Sequence, residues 1–141
     1  MQITFLDFDT LGHDLTTEYF DVLGTVTAHG NTLPEEVSAH IADAEVVVIN
    51  KVKLNASNLA SAHKLRLICI AATGFDNVDL AYCRERGIAV CNVVGYSTQS
   101  VAQVTVSMAL FLMTHLGEYS AFVANGRYTA SGVANCLTPV Y

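Results

Sequence analysis

Leu67-Ile68-Cys69-Ile70-Ala71-Ala72-Thr73-Gly74-Phe75-Asp76-Asn77-Val78-Asp79 decides how the chain is read. An apolar, strand-like run ends in a glycine turn, and a helix-like stretch then continues to Gly87. Strand, turn and helix make the repeating unit of an open α/β sheet, where ligands bind beyond the strand ends. Gly74 can take positive φ or let a ligand approach the backbone closely. Asp79 is placed to cap the following helix, and Gly87 to end it. Such a turn also serves in a purely structural sheet, so both uses stay open here.

The same unit recurs on either side. Upstream, Ile3 to Phe8 reads as a first strand closed by Asp7 and Asp9. That acid pair has the chemistry to hold a metal or phosphate group, but no partner ligands follow at metal spacing, so solvated strand-end carboxylates are expected. Residues 14–22 fit a short amphipathic helix with Leu15, Tyr19 and Val22 on one face, ended by Gly24. Thr25 to His29 reads as a second strand. Thr32 and Glu35 have capping-box spacing with Pro34 in the first turn, which predicts a helix to about Ala42. Val46-Val47-Val48-Ile49 is a continuous β-branched run, as in a strand buried on both faces. It ends at Asn50-Lys51-Val52-Lys53. Asn55 to His63 predicts a third helix, Asp79 to Arg86 a fourth, and Ile88 to Asn92 a fifth strand.

Five strands alternating with helices across short linkers predict an α/β fold, a flavodoxin-like doubly wound parallel five-stranded sheet. The expected strand order is 2-1-3-4-5, with helices on both faces. Lys51 and Gly74 then stand at the same sheet edge. Backbone N–H groups there, helped by the lysine charge, could hold a small carboxylate or phosphate. Taken alone, Lys51 would read as a solvated loop residue.

Beyond the fifth strand, Ser100 and Gln103 have capping-box spacing and open a long helix to about Glu118. From Val101 to Leu116 it is apolar nearly all round, interrupted by Gln103, Thr105, Ser107, Thr114 and His115. A helix apolar on every side is buried on every side. It is short and polar for a bilayer span, which needs about 20 apolar residues. A helix sandwiched between domains or subunits is the preferred reading. Ala121 to Tyr141, with Gly126, Gly132 and Pro139, reads as an extended arm.

The 141 residues suffice for one domain with a core. Apolar residues make up 52% and charged ones 14%. About a quarter charged is usual, so part of the surface is expected to be covered by another domain or subunit. Net charge is −6, and no basic stripe points to nucleic acid or an anionic membrane. Cys69, Cys83, Cys91 and Cys136 form no C-x-x-C pair, so neither zinc nor dithiol chemistry is indicated. Free buried cysteines in a reducing, cytoplasmic setting are expected. The N-terminus begins as a strand without a basic signal-peptide region.

Taken together, Ala72-Thr73-Gly74-Phe75-Asp76-Asn77-Val78-Asp79-Leu80, Gly87-Ile88-Ala89-Val90-Cys91-Asn92-Val93, Tyr96-Ser97 and Ser100-Val101-Ala102-Gln103 resemble the D-2-hydroxyacid dehydrogenase family. Asn50-Lys51-Val52 is most similar to its glycerate dehydrogenase (hydroxypyruvate reductase) branch. The resemblance covers the whole chain. It implies a substrate-binding domain in residues 1–99, an interdomain helix in 100–119, and an arm in 120–141 leading toward an NAD(P)-binding Rossmann domain. By the same resemblance, backbone N–H groups of Asn50, Lys51, Val52, Gly74 and Phe75 hold the carboxylate of a small 2-hydroxy or 2-oxo acid. Thr73 and Val101 would lie toward the NAD or NADP cofactor.

No G-x-G-x-x-G occurs in these residues, so the dinucleotide fingerprint is absent from them. The family's catalytic histidine, glutamate and arginine match no position here. His115 lies within the apolar helix and is read as structural. The chain by itself is therefore expected to lack hydride-transfer activity and to bind no cofactor alone. The alternative is a stand-alone flavodoxin-like module that binds a small anion or a protein and self-associates, as a homodimer, through residues 100–141. A receiver domain would need an aspartate where Asn50 stands. A flavin site would need a better phosphate loop than Thr10-Leu11-Gly12-His13.

Overall fold

The computed structural model describes residues 1–131. It contains a five-stranded parallel sheet of order β2-β1-β3-β4-β5. The strands are β1 (Gln2–Phe5), β2 (Thr25–Ala28), β3 (Val46–Ile49), β4 (Leu67–Ile70) and β5 (Ala89–Asn92). Three helices connect them: α1 (Val37–His40), α2 (Ala56–Leu59) and α3 (Leu80–Arg86). Register is continuous across the centre, with Val47 beside both Thr4 and Ile68. The expected α/β class and strand order are both present. Residues 1–95 form one compact unit, and a second begins at Tyr96.

The two faces of the sheet are covered differently from expectation. Val37 and Ile41, Leu59 and Cys83, which come from or directly follow the three helices, all join one core with Leu6, Val47, Ile49, Ile68 and Ile70. The opposite face is a smaller cluster of Ile3, Phe5 and Val46, packed by Phe8, Leu11 and Phe20. Handedness explains this. The steps from β2 over β1 to β3, then to β4 and β5, all advance in one direction, so right-handed crossovers put them on one face. Only the step from β1 to β2 runs the other way, and its connection contains no α-helix. It has two 3-10 turns, Phe8–Thr10 and Thr17–Phe20.

The helix expected over residues 14–22 is thus a single 3-10 turn. Thr16 caps it by accepting from the Glu18 N–H at 3.3 Å. Tyr19 and Val22, assigned from spacing to a buried face, are 75% and 88% exposed. Phe20 anchors the segment instead, edge-on to Phe5 at 5.2 Å between centroids. The Thr32/Glu35 capping box is also displaced. Glu36, one residue on, accepts from the Leu33 N–H at 2.9 Å, while the Thr32 hydroxyl pairs with His40 Nδ1 at 3.1 Å. By contrast, Asn55 and Asn58 form a reciprocal box at the start of α2. Asp79 accepts from the Tyr82 N–H at 3.0 Å, and Gly87 ends α3 in the left-handed region at φ 68°.

In the second unit, α4 (Thr98–Met113) is followed by α5 (Leu116–Ala124) and α6 (Arg127–Ser131). The Ser100/Gln103 box does not form, because the helix already begins at Thr98 without a side-chain cap. The expected single helix to Glu118 breaks at Thr114 and His115, where the axis bends by 64°. His115 adopts φ 52°, a left-handed conformation that costs a non-glycine residue about 1–2 kcal/mol. His115 therefore stands at a helix junction, with Nδ1 3.6 Å from Glu118 Oε2, and not inside a helix. The arm expected from residue 120 is helical as far as Ser131. Asn125 accepts from the Arg127 N–H at 3.1 Å, and Gly126 at φ 74° allows the restart. The remainder of the expected arm, residues 132–141, lies outside the described residues. Among the described residues, no single helix is long and apolar enough to cross a membrane, and α4 and α5 reach that length only together across the bend.

His29, just after β2, stacks on His40 with ring centroids 3.6 Å apart and planes 7° from parallel. Burial, then the neighbouring His40 charge, hold the His29 pKa below the usual histidine range, with Glu36 opposing. A lowered folded-state pKa means the unfolded chain takes up the proton first. The contribution is complete above the ordinary value of about 6.5 and is lost as pH falls through the window beneath it. Urea unfolding across about pH 8 to 5 should show stability falling with acidification, and His29→Gln should flatten that slope.

Candidate functional site

The carboxyl edge of the sheet is built on Asp7, which follows β1 and is 2% exposed. Its carboxylate accepts from three consecutive backbone N–H groups: Asn50 at 2.9 Å, Lys51 at 2.5 Å and Val52 at 3.0 Å. The Thr10 hydroxyl donates to the Asp7 carbonyl at 2.7 Å. The Asn50 amide in turn donates to Thr10 Oγ1 at 3.0 Å. The turn after β3 is thereby wrapped around an internal anion. Asp7 is not the solvated strand-end residue that its sequence position suggests. Nor are the N–H groups of Asn50, Lys51 and Val52 available to a ligand in this structure, because Asp7 already occupies them.

The turn after β4 is different. Asn77 ties it to the first turn, donating from Nδ2 to the Val52 carbonyl at 3.0 Å and to the Asn50 carbonyl at 3.3 Å. The Asn77 carbonyl accepts from the Leu54 N–H at 2.8 Å. On its other flank, the Thr73 hydroxyl donates to the Val93 carbonyl at 3.0 Å, and the Asn92 amide donates to the Thr73 carbonyl at 2.7 Å. Between these ties, Gly74, Phe75 and Asp76 are exposed. Among the described residues, no acceptor meets their N–H groups. Gly74 does not use the left-handed region open to glycine. What it provides is room, since an added Cβ would meet only Asp76 Oδ1, at 3.2 Å.

The two turns expected to converge are therefore adjacent, but they do unlike work. One is closed by a protein carboxylate, and the other presents free donors. Lys51 is exposed and has no carboxylate within 4 Å among the described residues. It lines a cleft of about 630 Å³ together with Asp7, Asn31, Glu35, Lys53 and Asn58 among others. Val101 lies in the second unit and is 59% exposed. No described group of three or more His, Cys, Asp or Glu side chains is arranged to hold a metal.

The sequence places Lys51 and the Gly74 turn at the carboxyl edge of the sheet, as the structure does, but it does not reveal the role of Asp7 and Asn77. The available signal for Asp7 was its position: an acid immediately after a central buried strand has the backbone donors of the neighbouring turn within reach. Asn77 carried no spacing signal, since its partners are main-chain carbonyls more than twenty residues away.

A parallel sheet of this order defines a flavodoxin-like α/β domain. Comparison with known proteins makes this specific. Residues 5–138 match the family described as D-isomer specific 2-hydroxyacid dehydrogenase, catalytic domain. The chain is 35% identical over 115 residues to a putative 2-hydroxyacid dehydrogenase of Haemophilus influenzae, covering 82% of this chain and 36% of that protein. It is 32% identical over 131 residues to a glycerate dehydrogenase of Methylorubrum extorquens, covering 92% and 41%. In fold it is similar to the 2-hydroxyacid dehydrogenase of Ketogulonicigenium vulgare, with a TM-score of 0.75 at 24% identity, covering 99% of this chain and 44% of that one. It is also similar to a D-lactate dehydrogenase of Aquifex aeolicus complexed with NAD and lactic acid, with a TM-score of 0.74 at 24% identity over 89% and 37%. The chain belongs to the D-isomer specific 2-hydroxyacid dehydrogenase family, and it spans 36% and 41% of the length of the two curated relatives named.

Replacing Asp7 with Asn swaps an anion for an amide that can accept on one oxygen only. Oδ2 alone lies within bonding distance of all three N–H groups, so the Asn oxygen can take its place; what is lost is the charge assistance, and the new –NH2 is set against the Asn50 N–H. Asp7→Asn should lower the unfolding free energy by about 1–3 kcal/mol in urea titration. A change within about 0.5 kcal/mol would show that water replaces the carboxylate.

Proposed function

We propose that this chain is the substrate-binding portion of an NAD- or NADP-dependent D-2-hydroxyacid dehydrogenase, acting on a small 2-hydroxy or 2-oxo acid of the glycerate and hydroxypyruvate type. The observation that carries the reading is the exposed row Gly74, Phe75 and Asp76, whose N–H groups meet no acceptor among the described residues, on a turn that Asn77 ties to the loop carrying Lys51. A substrate carboxylate there would accept from the Gly74 and Phe75 N–H groups, with the Lys51 ammonium adding charge. Hydrogen bonds to a charged acceptor are worth about 1.5–3 kcal/mol each, and fixed backbone donors hold orientation without side-chain entropy. Asn50 and Val52 take part by shaping the loop that presents Lys51, since their own N–H groups serve Asp7. Thr73, held by Val93 and Asn92, and Val101 at the start of α4 would face the nicotinamide side. The nicotinamide, when bound in the longer enzyme, supplies the hydride chemistry. Residues 1–99 are the substrate-binding segment, 100–119 the interdomain segment, made of α4 and the start of α5, and 120–141 the connection toward a cofactor domain. A cytoplasmic location fits the free Cys69, Cys83 and Cys91.

The 141 residues alone should not oxidise NADH with hydroxypyruvate, because no residue here matches the family's proton-transferring histidine. Hydride transfer by this chain would overturn that statement. Binding is tested separately, by titrating D-glycerate into isotopically labelled protein. The amide signals of Gly74, Phe75 and Asp76 should shift, while those of Asn50, Lys51 and Val52 stay near their starting positions. The reverse pattern would mean that the substrate displaces Asp7.

A second reading is favoured by α4. Val101, Val104, Val106, Met108, Leu110, Phe111, Leu112 and Met113 are each between 48% and 71% exposed. Self-association through residues 100–141 would cover them, either in a stand-alone anion-binding module or in a dimeric dehydrogenase. Light scattering over a concentration series should give a dimer, and Met108→Glu together with Leu112→Glu should return it to a monomer. A wild-type monomer at all concentrations would remove this reading.

A further inference from the structure

Cys69 on β4 and Cys91 on β5 are register partners in neighbouring parallel strands. Side chains directly opposite in adjacent strands share one face of the sheet. That face is the sparsely covered one, since Cys69 packs with Ile3, Phe5 and Val46, while Cys83 belongs to the helix-covered core. Cys69 is partly buried and Cys91 is exposed. Neighbouring strands lie about 4.8 Å apart, within the Cα separation of about 4.4–6.8 Å that a disulfide spans.

We propose that Cys69 and Cys91 form a thiol–disulfide modification site, closed by a low-molecular-weight disulfide such as oxidised glutathione. Cys91, the accessible sulfur, attacks the small disulfide as thiolate. A mixed disulfide forms at Cys91, and one small thiol leaves. The Cys69 sulfur, once deprotonated, attacks Cys91 Sγ, forms the Cys69–Cys91 bond and expels the second small thiol. The two protein thiols are oxidised, and the small disulfide is reduced to two thiols. Burial, and after it the neighbouring Cys91, holds the Cys69 thiol above its usual range, which suits the resolving role over the attacking one. The bond would staple the edge strand β5 to β4. These are the strands whose continuations place Asn92 and Val93 against Thr73.

The test is to treat the folded 141-residue chain with oxidised glutathione, alkylate the remaining thiols, digest, and sequence the cross-linked peptides by fragmentation. The expected product is an intrachain Cys69–Cys91 bond, reversed by excess reduced glutathione, with Cys83 alkylated only after unfolding. Cys69→Ala should stop the reaction at a stable glutathione adduct on Cys91. Cys91→Ser, at an exposed position, should keep the fold and abolish both products. A wild-type chain that keeps the glutathione adduct, or that links Cys91 to Cys136 or to a second chain, would overturn the proposal.

Discussion

The contact between the Asp7 carboxylate and three successive backbone N–H groups is the constraint on which the functional edge depends. A buried carboxylate is expensive unless its lone pairs are met, and backbone donors turned in toward it need an acceptor in their turn. Each group removes the cost of the other. The turn after β3 therefore has a fixed shape before any ligand arrives. Lys51 is carried on that turn with its backbone committed and its side chain exposed. Asn77 then reads the fixed turn through the Asn50 and Val52 carbonyls and transmits its position to the turn after β4. The exposed donors at Gly74, Phe75 and Asp76 are thus held on both flanks, by Asn77 on one side and by the Thr73 bonds to Val93 and Asn92 on the other. Preorganised donors of this kind lose little entropy on binding.

Handedness sets the next level. Because β3, β4 and β5 are added in one direction, their right-handed connections fall on one face, and the large core forms there. On the opposite face, among the described residues of the first unit, the turns around Phe8 and Phe20 pack over β1 near Phe5. Toward β5 this cover runs out: Ala89 and Cys91 are exposed, whereas Val90, on the other face, packs against the large core. The same topological rule that fixes the strand order thus leaves a thiol pair accessible at one edge of the sheet.

Strand positions and order were legible because continuous apolar runs such as Val46–Ile49 bounded by turn residues have few other solutions. Caps were legible where the motif is local, as at Asp79 and Gly87. They misled where a competing partner lay further off: Thr32 pairs with His40, so its hydroxyl was not free to cap a helix. The helix read into residues 14–22 failed because periodicity says which residues could share a face, and the single aromatic Phe20 decided which one was buried. At the carboxyl edge, the positions of Lys51 and Gly74 could be read from the chain. Asp7 could not be given its role, since that depends on three N–H groups more than forty residues away. The break at His115 had no spacing signal either. A left-handed histidine followed by Leu116-Gly117 reads, in a linear pattern, as one more helical turn.

The exposed surface of α4 sets a scale for what covers it. Fully burying a large apolar side chain gains about 1.5–3 kcal/mol, and the eight such residues from Val101 to Met113 each retain roughly half their surface. About 1 kcal/mol remains to be gained at each, on the order of 10 kcal/mol together. Association costs about 4–15 kcal/mol in lost translational and rotational freedom, so two such helices meeting face to face could offset that cost, whereas a few scattered apolar residues could not. A covering domain on the same polypeptide would lose less of this freedom and could enclose more than one side of the helix. The apolar character of α4 is therefore best understood as specifying a contact rather than a core. The turn after β4 needs no such cover to keep its shape, because the bonds from Asp7, Asn77, Asn92 and Thr73 that hold it all lie within residues 1–95.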